Sequence, residues 1–269
     1  MSRHSDTTIP LEPNTFYHIF NRGNKGIKIF YQDRNYPYFL QKYDSILSPY
    51  LNTYSYNLIP NHFHLIVKIK SVEDILSSAK NDYTYLSKPL WKLMKTKLEN
   101  FPIGIFKDSP DFLLLLNQAY PKDRYPFIRF LELVPPFLKS SIASWLLSDC
   151  LKRFFSGYAR AINVQEKENG SLFQKNFRRK IIDSETYFTS LIWYIHNNGA
   201  HHGLCRDFKD YPWSSYHRVL IERPSKLKKK EVLDWFGGRK EYIDFHKSAK
   251  VNWNLLNNVI TEEDGLLSF

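Results

Sequence analysis

Cysteine is almost absent: Cys150 and Cys205 are the two in 269 residues. Two thiols cannot build a disulfide framework, and these lack metal-ligand spacing, so reduced thiols in the cytoplasm are the expectation. Long apolar runs are missing too. The densest cluster, Phe112 to Leu116, is far below the roughly 20 residues a membrane-spanning helix needs. The first ten residues, Met1 to Pro10, are polar and do not read as a signal peptide. No repeat or low-complexity segment is evident. These absences argue against a disulfide-stapled secreted domain, a helical membrane protein and a repeat array.

What is present is a large apolar fraction and an excess of positive charge. Hydrophobic residues make up 43% and aromatics 16%, ample for a buried core. The formal charge is +11 and the pI near 9.4. Such an excess favours a polyanionic partner, because each phosphate contacted releases condensed counterions. A membrane surface would suit the charge equally, but no basic amphipathic anchor stands out.

Chemistry concentrates in two stretches. The first is Pro60-Asn61-His62-Phe63-His64, at the head of an apolar run to Ile69 that predicts a strand. Side chains alternate along a strand, so His62 and His64 leave one face side by side, where one metal ion could accept both. The plainer alternative is a pair of histidines on a solvated sheet face. The second stretch is Tyr194-Ile195-His196-Asn197-Asn198. Asp183 or Ser184 suits an N-cap, and Phe188, Leu191, Ile192 and Ile195 recur at helical spacing, predicting a helix that ends near Gly199. Tyr194 and Asn198, four apart, project from one face. A phenol beside a carboxamide suits a nucleophile and a hard-metal oxygen ligand. Helical tyrosines more often only pack, and this chain has 18 tyrosines.

These stretches belong to an ordered series: Phe16-Tyr17-His18-Ile19-Phe20-Asn21-Arg22-Gly23, then Pro60 to His64, then Gly170-Ser171-Leu172-Phe173-Gln174-Lys175-Asn176-Phe177-Arg178, then Tyr194 to Asn198 through His202-Gly203, with Tyr211-Pro212-Trp213-Ser214-Ser215-Tyr216 trailing. The series resembles the single-tyrosine HUH transposases, and within them the REP-associated tyrosine transposases of bacteria, over about 14–70 and 140–217. The resemblance implies that His62 and His64 hold a divalent ion, Mg²⁺ or Mn²⁺, with Asn198 as third ligand and Tyr194 as nucleophile. It further implies a substrate of single-stranded DNA beside an imperfect hairpin, and a monomer or a homodimer, since some relatives exchange active-site helices. One departure is visible: Asn198-Gly199 stands where the family usually has Asn-Pro, predicting the same helix end and a looser loop.

In chain order, 14–22 predicts a strand, Asp33 to Leu47 a helix, and Thr53 to Ile59 with His62 to Lys70 a hairpin. The expected fold class is α+β: a ferredoxin-like or RRM-like antiparallel sheet with helices on one face and nucleic acid on the other, plus a helical insertion and a C-terminal helical extension. The expected division is 1–70 and 140–217 as two parts of a catalytic domain, 71–139 as the insertion, and 218–269 as extension and tail. The insertion reads either as a subdomain or lid with its own small core or as a long connection packed on the main domain. Its Lys88, Lys92, Lys95 and Lys97 suit DNA contact or, more commonly, a solvated face. Ser140 to Asn163 is a long amphipathic helix, and Ser171 to Ile182 a strand or hairpin arm.

Lys175, Arg178, Arg179 and Lys180 crowd that arm beside Phe173 and Phe177, a mixture suited to single strands, with cations on the backbone and rings on the bases. A basic edge strand kept soluble by charge is the alternative. Arg22 and His202 complete the candidate DNA contacts. His202 also opens a rival: His62, His64 and His202 would suit a hydrolytic zinc nuclease. A third reading keeps the fold as a hairpin-binding regulator without activity.

Overall fold

The computed structural model describes residues 7, 9–118, 125–248, 252 and 256. The expected tail from Val251 to Phe269 thus lies almost wholly outside the described residues. The sheet has four strands, β1 (Phe16–Arg22), β2 (Leu51–Ile59), β3 (His62–Ile69) and β4 (Arg178–Ile181), in the order β2-β3-β1-β4. Every neighbouring pair is antiparallel. Helix α1 (Asn35–Leu47) joins β1 to β2, and α6 (Lys139–Glu166) precedes β4, giving the β-α-β-β-α-β order of a ferredoxin-like α+β fold.

Alternation along β3 divides its residues between two cores. Phe63, Leu65, Val67 and Ile69 face α1 and α6, where they meet Phe39, Tyr43, Phe154 and Tyr158. Ile66, two residues on from His64, packs with α7 (Glu185–His201) and with α8 (Tyr216–Leu220), α9 (Lys229–Phe236) and α10 (Arg239–Ser248). This alters the expected picture of helices on one face. Helices pack on both: α7 and the C-terminal helices lie over the part of the histidine face formed by Phe16, Tyr54 and Ile66. The reason is apolar: Phe188, Leu191, Ile192 and Ile195 need burial, and Phe16, Tyr54 and Ile66 supply the partner surface.

A β-bulge between Thr53 and Ser55 sets what β2 shows each layer. Thr53 opposes Val67, whereas Ser55 opposes Ile66, so the extra residue turns Ser55 and Asn57 toward α7. The insertion forms α2 (Val72–Asp82), α3 (Lys88–Glu99), α4 (Pro110–Asn117) and α5 (Phe127–Leu133). Its buried residues, from Ile75 through Trp91 and Phe112 to Leu138, join the same core as α1 and α6. Of the two readings of the insertion, a subdomain with its own small core or a long connection packed on the main domain, the shared core fits the second. Strand β4 is shorter than the predicted arm because Asn176 takes a left-handed φ of 64°, which interrupts the extended run. Gly199 does not end α7; it lies inside its last turn, where a Cβ would sit 2.7 Å from Tyr211 Cγ.

The C-terminal helices are tied to α7 through a buried chain whose direction is forced. The Tyr242 carbonyl accepts from His246 Nδ1 (2.7 Å), so His246 Nε2 must accept from His196 Nδ1 (2.9 Å). His196 Nε2 then accepts from the Ser215 and Ser55 hydroxyls at 2.8 and 3.0 Å. Both rings must be neutral. Burial depresses the His246 pKa from 6.5 to about 4, and holds that of His196 well below its usual range. The unfolded chain takes up the proton below pH 6.5 and the folded chain does not, so stability is full above that pH and falls toward pH 4. His246 alone carries on the order of 3 kcal/mol of this loss. Urea denaturation at stepped pH should show it, and His246→Gln should flatten the slope; an unchanged slope would contradict this account.

Candidate active site

The site lies on the α7 face of the sheet where β1 and β3 run side by side. Cross-strand pairs set Phe20 opposite His64 and Arg22 opposite His62. Residues directly opposite one another in an antiparallel pair share a face, so Arg22 stands with the histidines. The His62 and His64 rings are 5.1 Å apart. Helix α7 is started by Ser184, whose side chain accepts from the Tyr187 N–H, and it brings two residues down onto this face. Asn198 Oδ1 is 3.1 Å from His62 Nε2, and the Tyr194 ring centroid is 6.2 Å from that of His64. Histidine pair, carboxamide and phenol thus meet within one chain. Tyr194 is only 4% exposed and Asn198 fully buried.

His62 Nδ1 lies 2.8 Å from Asn61 Oδ1 and Nε2 lies 3.1 Å from Asn198 Oδ1; both oxygens can only accept, so the single proton of the neutral ring serves one of them and leaves the other contact without a hydrogen. Burial, then the neighbouring His64 and His202, keeps the His62 pKa well below the usual range; burial, then His18 and His202, does the same for His64. Both are therefore neutral near pH 7, the form in which an imidazole can ligate. His64 Nδ1 is 3.0 Å from Nε2 of His18, which lies two residues before Phe20 on the same face of β1. Burial and then Lys180 depress the His18 pKa to about 3.

The candidate DNA contacts divide. Arg178 opposes Phe20 and Lys180 opposes His18, so both lie on the histidine face. Arg179 opposes Ile19 and belongs to the other face; it stacks on Phe177 and donates to the Thr7 carbonyl at 2.8 Å. It therefore leaves the set that shares the site's face. Lys175 is exposed in the loop before β4. The His202 ring is 4.9 Å from that of His62. Yet among the described residues no three His, Cys, Asp or Glu side chains are arranged to hold a metal, so the His62, His64, His202 trio is not assembled as a zinc site.

Three contributors escaped the sequence reading. His18 sits inside a quoted motif, and strict alternation from Phe20 and Arg22 was the signal that could have placed it with the pair. Asn61 could have been read as the residue flanking the histidines. Asn57 had no local signal, since it faces α7 only because of the bulge. Its Nδ2 donates to the Ile195 carbonyl at 2.6 Å, pinning the middle of α7 to β2.

No family profile matches the chain, and no curated protein matches it. A solved structure titled as a REP-associated tyrosine transposase bound to a REP hairpin aligns over 83% of this chain and 89% of that one, at 12% identity and a TM-score of 0.45. A likeness at that level decides nothing about the chemistry here. Among the described residues no helix is long and apolar enough to cross a membrane.

Because Asn57 is fully buried, Asn57→Ala should remove its hydrogen bond to the Ile195 carbonyl and cost about 0.5–1.5 kcal/mol. Chemical denaturation monitored by circular dichroism checks this, and an unshifted midpoint contradicts the anchoring role.

Proposed function

We propose that the protein cleaves and rejoins single-stranded DNA by transesterification, with Tyr194 as nucleophile and His62, His64 and Asn198 as the seat of a divalent cation. The observation that carries the reading is the meeting of Tyr194, His62, His64 and Asn198 in one chain, on a sheet face that also holds Arg22, Arg178 and Lys180. The series of motifs shared with the single-tyrosine transposases agrees with it.

The donor set fits a hard cation. Two ligands on adjacent corners of an octahedral ion with bonds of about 2.1 Å stand about 3.0 Å apart. His62 Nε2 and Asn198 Oδ1 are 3.1 Å apart. With the His62 proton on Nδ1, toward Asn61, both atoms would present lone pairs to a cation. Mg²⁺ or Mn²⁺ held there would draw off charge developing on the scissile phosphate.

The steps belong to the side chains. The Tyr194 hydroxyl attacks phosphorus in line, the bond to the 3′-oxygen breaks, and that oxygen ends with the proton the phenol gave up. The products are a 5′-phosphotyrosine and a free 3′-hydroxyl. The covalent bond keeps the energy of the phosphodiester, so a second 3′-hydroxyl can reverse the reaction without ATP. Arg22, beside His62, serves to bind the phosphate. A phenol with pKa near 10 is a weak nucleophile at neutral pH, so cleavage needs the cation.

A regulator that binds hairpins without cleaving them has less support, since all four side chains are in place. The decisive experiment incubates the protein with labelled hairpin-bearing single strands and Mn²⁺. A denaturation-resistant protein–DNA adduct should form and disappear in Tyr194→Phe; cleavage without an adduct, or an adduct that survives the mutation, would sink the proposal. For binding, Arg178→Ala and Lys180→Ala should each lower the slope of log affinity against log salt by about 1, and Arg179→Ala should leave it unchanged. Fluorescence anisotropy over a salt series measures this.

A further inference from the structure

His18 is fully buried and belongs neither to the motif pair nor to the reacting groups. Its Nε2 lies 3.0 Å from His64 Nδ1, with the ring centroids 5.2 Å apart and the rings inclined by 23°. The ring also packs against Phe20, stacked at 4.6 Å. Its position is therefore set by packing as well as by the hydrogen bond.

Two neutral imidazoles facing nitrogen to nitrogen share one proton between them, and there are two ways to place it. If His18 Nε2 carries the proton, His64 accepts it on Nδ1 and keeps its own proton on Nε2, which then has no lone pair for a cation. If His64 Nδ1 carries the proton, His18 accepts, and His64 Nε2 is left with a lone pair. A cation at the site selects the second state, and His18 is the acceptor that makes it possible. At His62 the same task falls to Asn61, whose Oδ1 lies 2.8 Å from Nδ1. One histidine is oriented by the residue next to it in sequence, the other by a residue 46 positions away on the neighbouring strand.

We infer that His18 is a positioning residue for His64, fixing its ring and placing its proton on Nδ1 so that Nε2 is available to a divalent cation. This rests on the metal reading given above. Outer partners of ligating histidines typically contribute 10–100-fold to metal affinity.

The test is Mn²⁺ titration of the full chain by calorimetry, without DNA, for the wild type and variants at His18 and His64. His18→Phe keeps the ring shape and removes the acceptor, so affinity should fall 10–100-fold. His18→Gln puts a carboxamide oxygen near the position of Nε2 and should restore binding to within about threefold. His18→Asn, too short to reach His64, should bind as weakly as His18→Phe, and serves should the Phe variant fail to fold. Circular dichroism establishes folding for each variant. Wild-type affinity in folded His18→Phe or His18→Asn overturns the inference, as does failure of His18→Gln to rescue. If the wild type itself takes up no Mn²⁺, or His64→Ala binds as well as wild type, the metal reading fails instead. Histidine ¹⁵N shifts give a readout free of metal: His64 should lose its Nδ1–H character in His18→Phe relative to His18→Gln, and identical shifts count against the role.

Discussion

The site depends on how α7 is seated. A tyrosine and an asparagine four apart on a helix are only two side chains until the helix is held at one height and one rotation over the sheet. Three contacts set that height and rotation. Asn57 donates into the backbone at Ile195, the ring of His196 is gripped by Ser55, Ser215 and His246, and Tyr211 lies flush against Gly199. The last explains glycine at that position. Any side chain there would enter the Tyr211 ring, whose hydroxyl is itself fixed by donation to the Leu58 carbonyl at 2.7 Å. Apolar burial supplies the affinity of helix for sheet, and these polar contacts select one arrangement among the many that burial alone would allow.

The same logic gives the C-terminal helices a purpose. Their sequence reads as an appendage, yet His246 and Tyr242 complete the buried chain that ends on α7, and Trp193 of α7 donates to the His246 carbonyl at 3.1 Å. The helices α8 to α10 thus form the outer wall of the layer that presents Tyr194. The insertion plays a different part. It widens the opposite core beyond α6 and touches none of the site residues in the contacts described.

Burying several imidazoles together has a chemical consequence. Water is withheld from His18, His62 and His64, and a neighbouring cation or imidazole (Lys180 for His18, other histidines for His62 and His64) further disfavours the protonated form of each. The cluster is therefore a group of neutral donors at physiological pH. Of these rings His62 meets the Asn198 carboxamide oxygen, while His64 meets His18. Arg22, Arg178 and Lys180 stand on the same sheet face as these rings.

Much of this was legible from local pattern. Alternation put His62 and His64 on one face, helical spacing put Tyr194 with Asn198, Asp183 or Ser184 marked the start of the helix, and the order of strands and helices implied the ferredoxin-like sheet. These follow from the periodicities of the backbone, two for a strand and 3.6 for a helix, which act within a few residues. What the tertiary structure decided depends on residues far apart in the chain. The bulge in β2 turned Asn57 and Ser55 toward α7, the cross-strand register brought His18 within reach of His64 and sent Arg179 to the opposite face, and the C-terminal helices packed against α7. None of these has a local signature, because a register or a helix docking is chosen by the sum of packing across strands, and one residue of shift would turn every side chain to the other face.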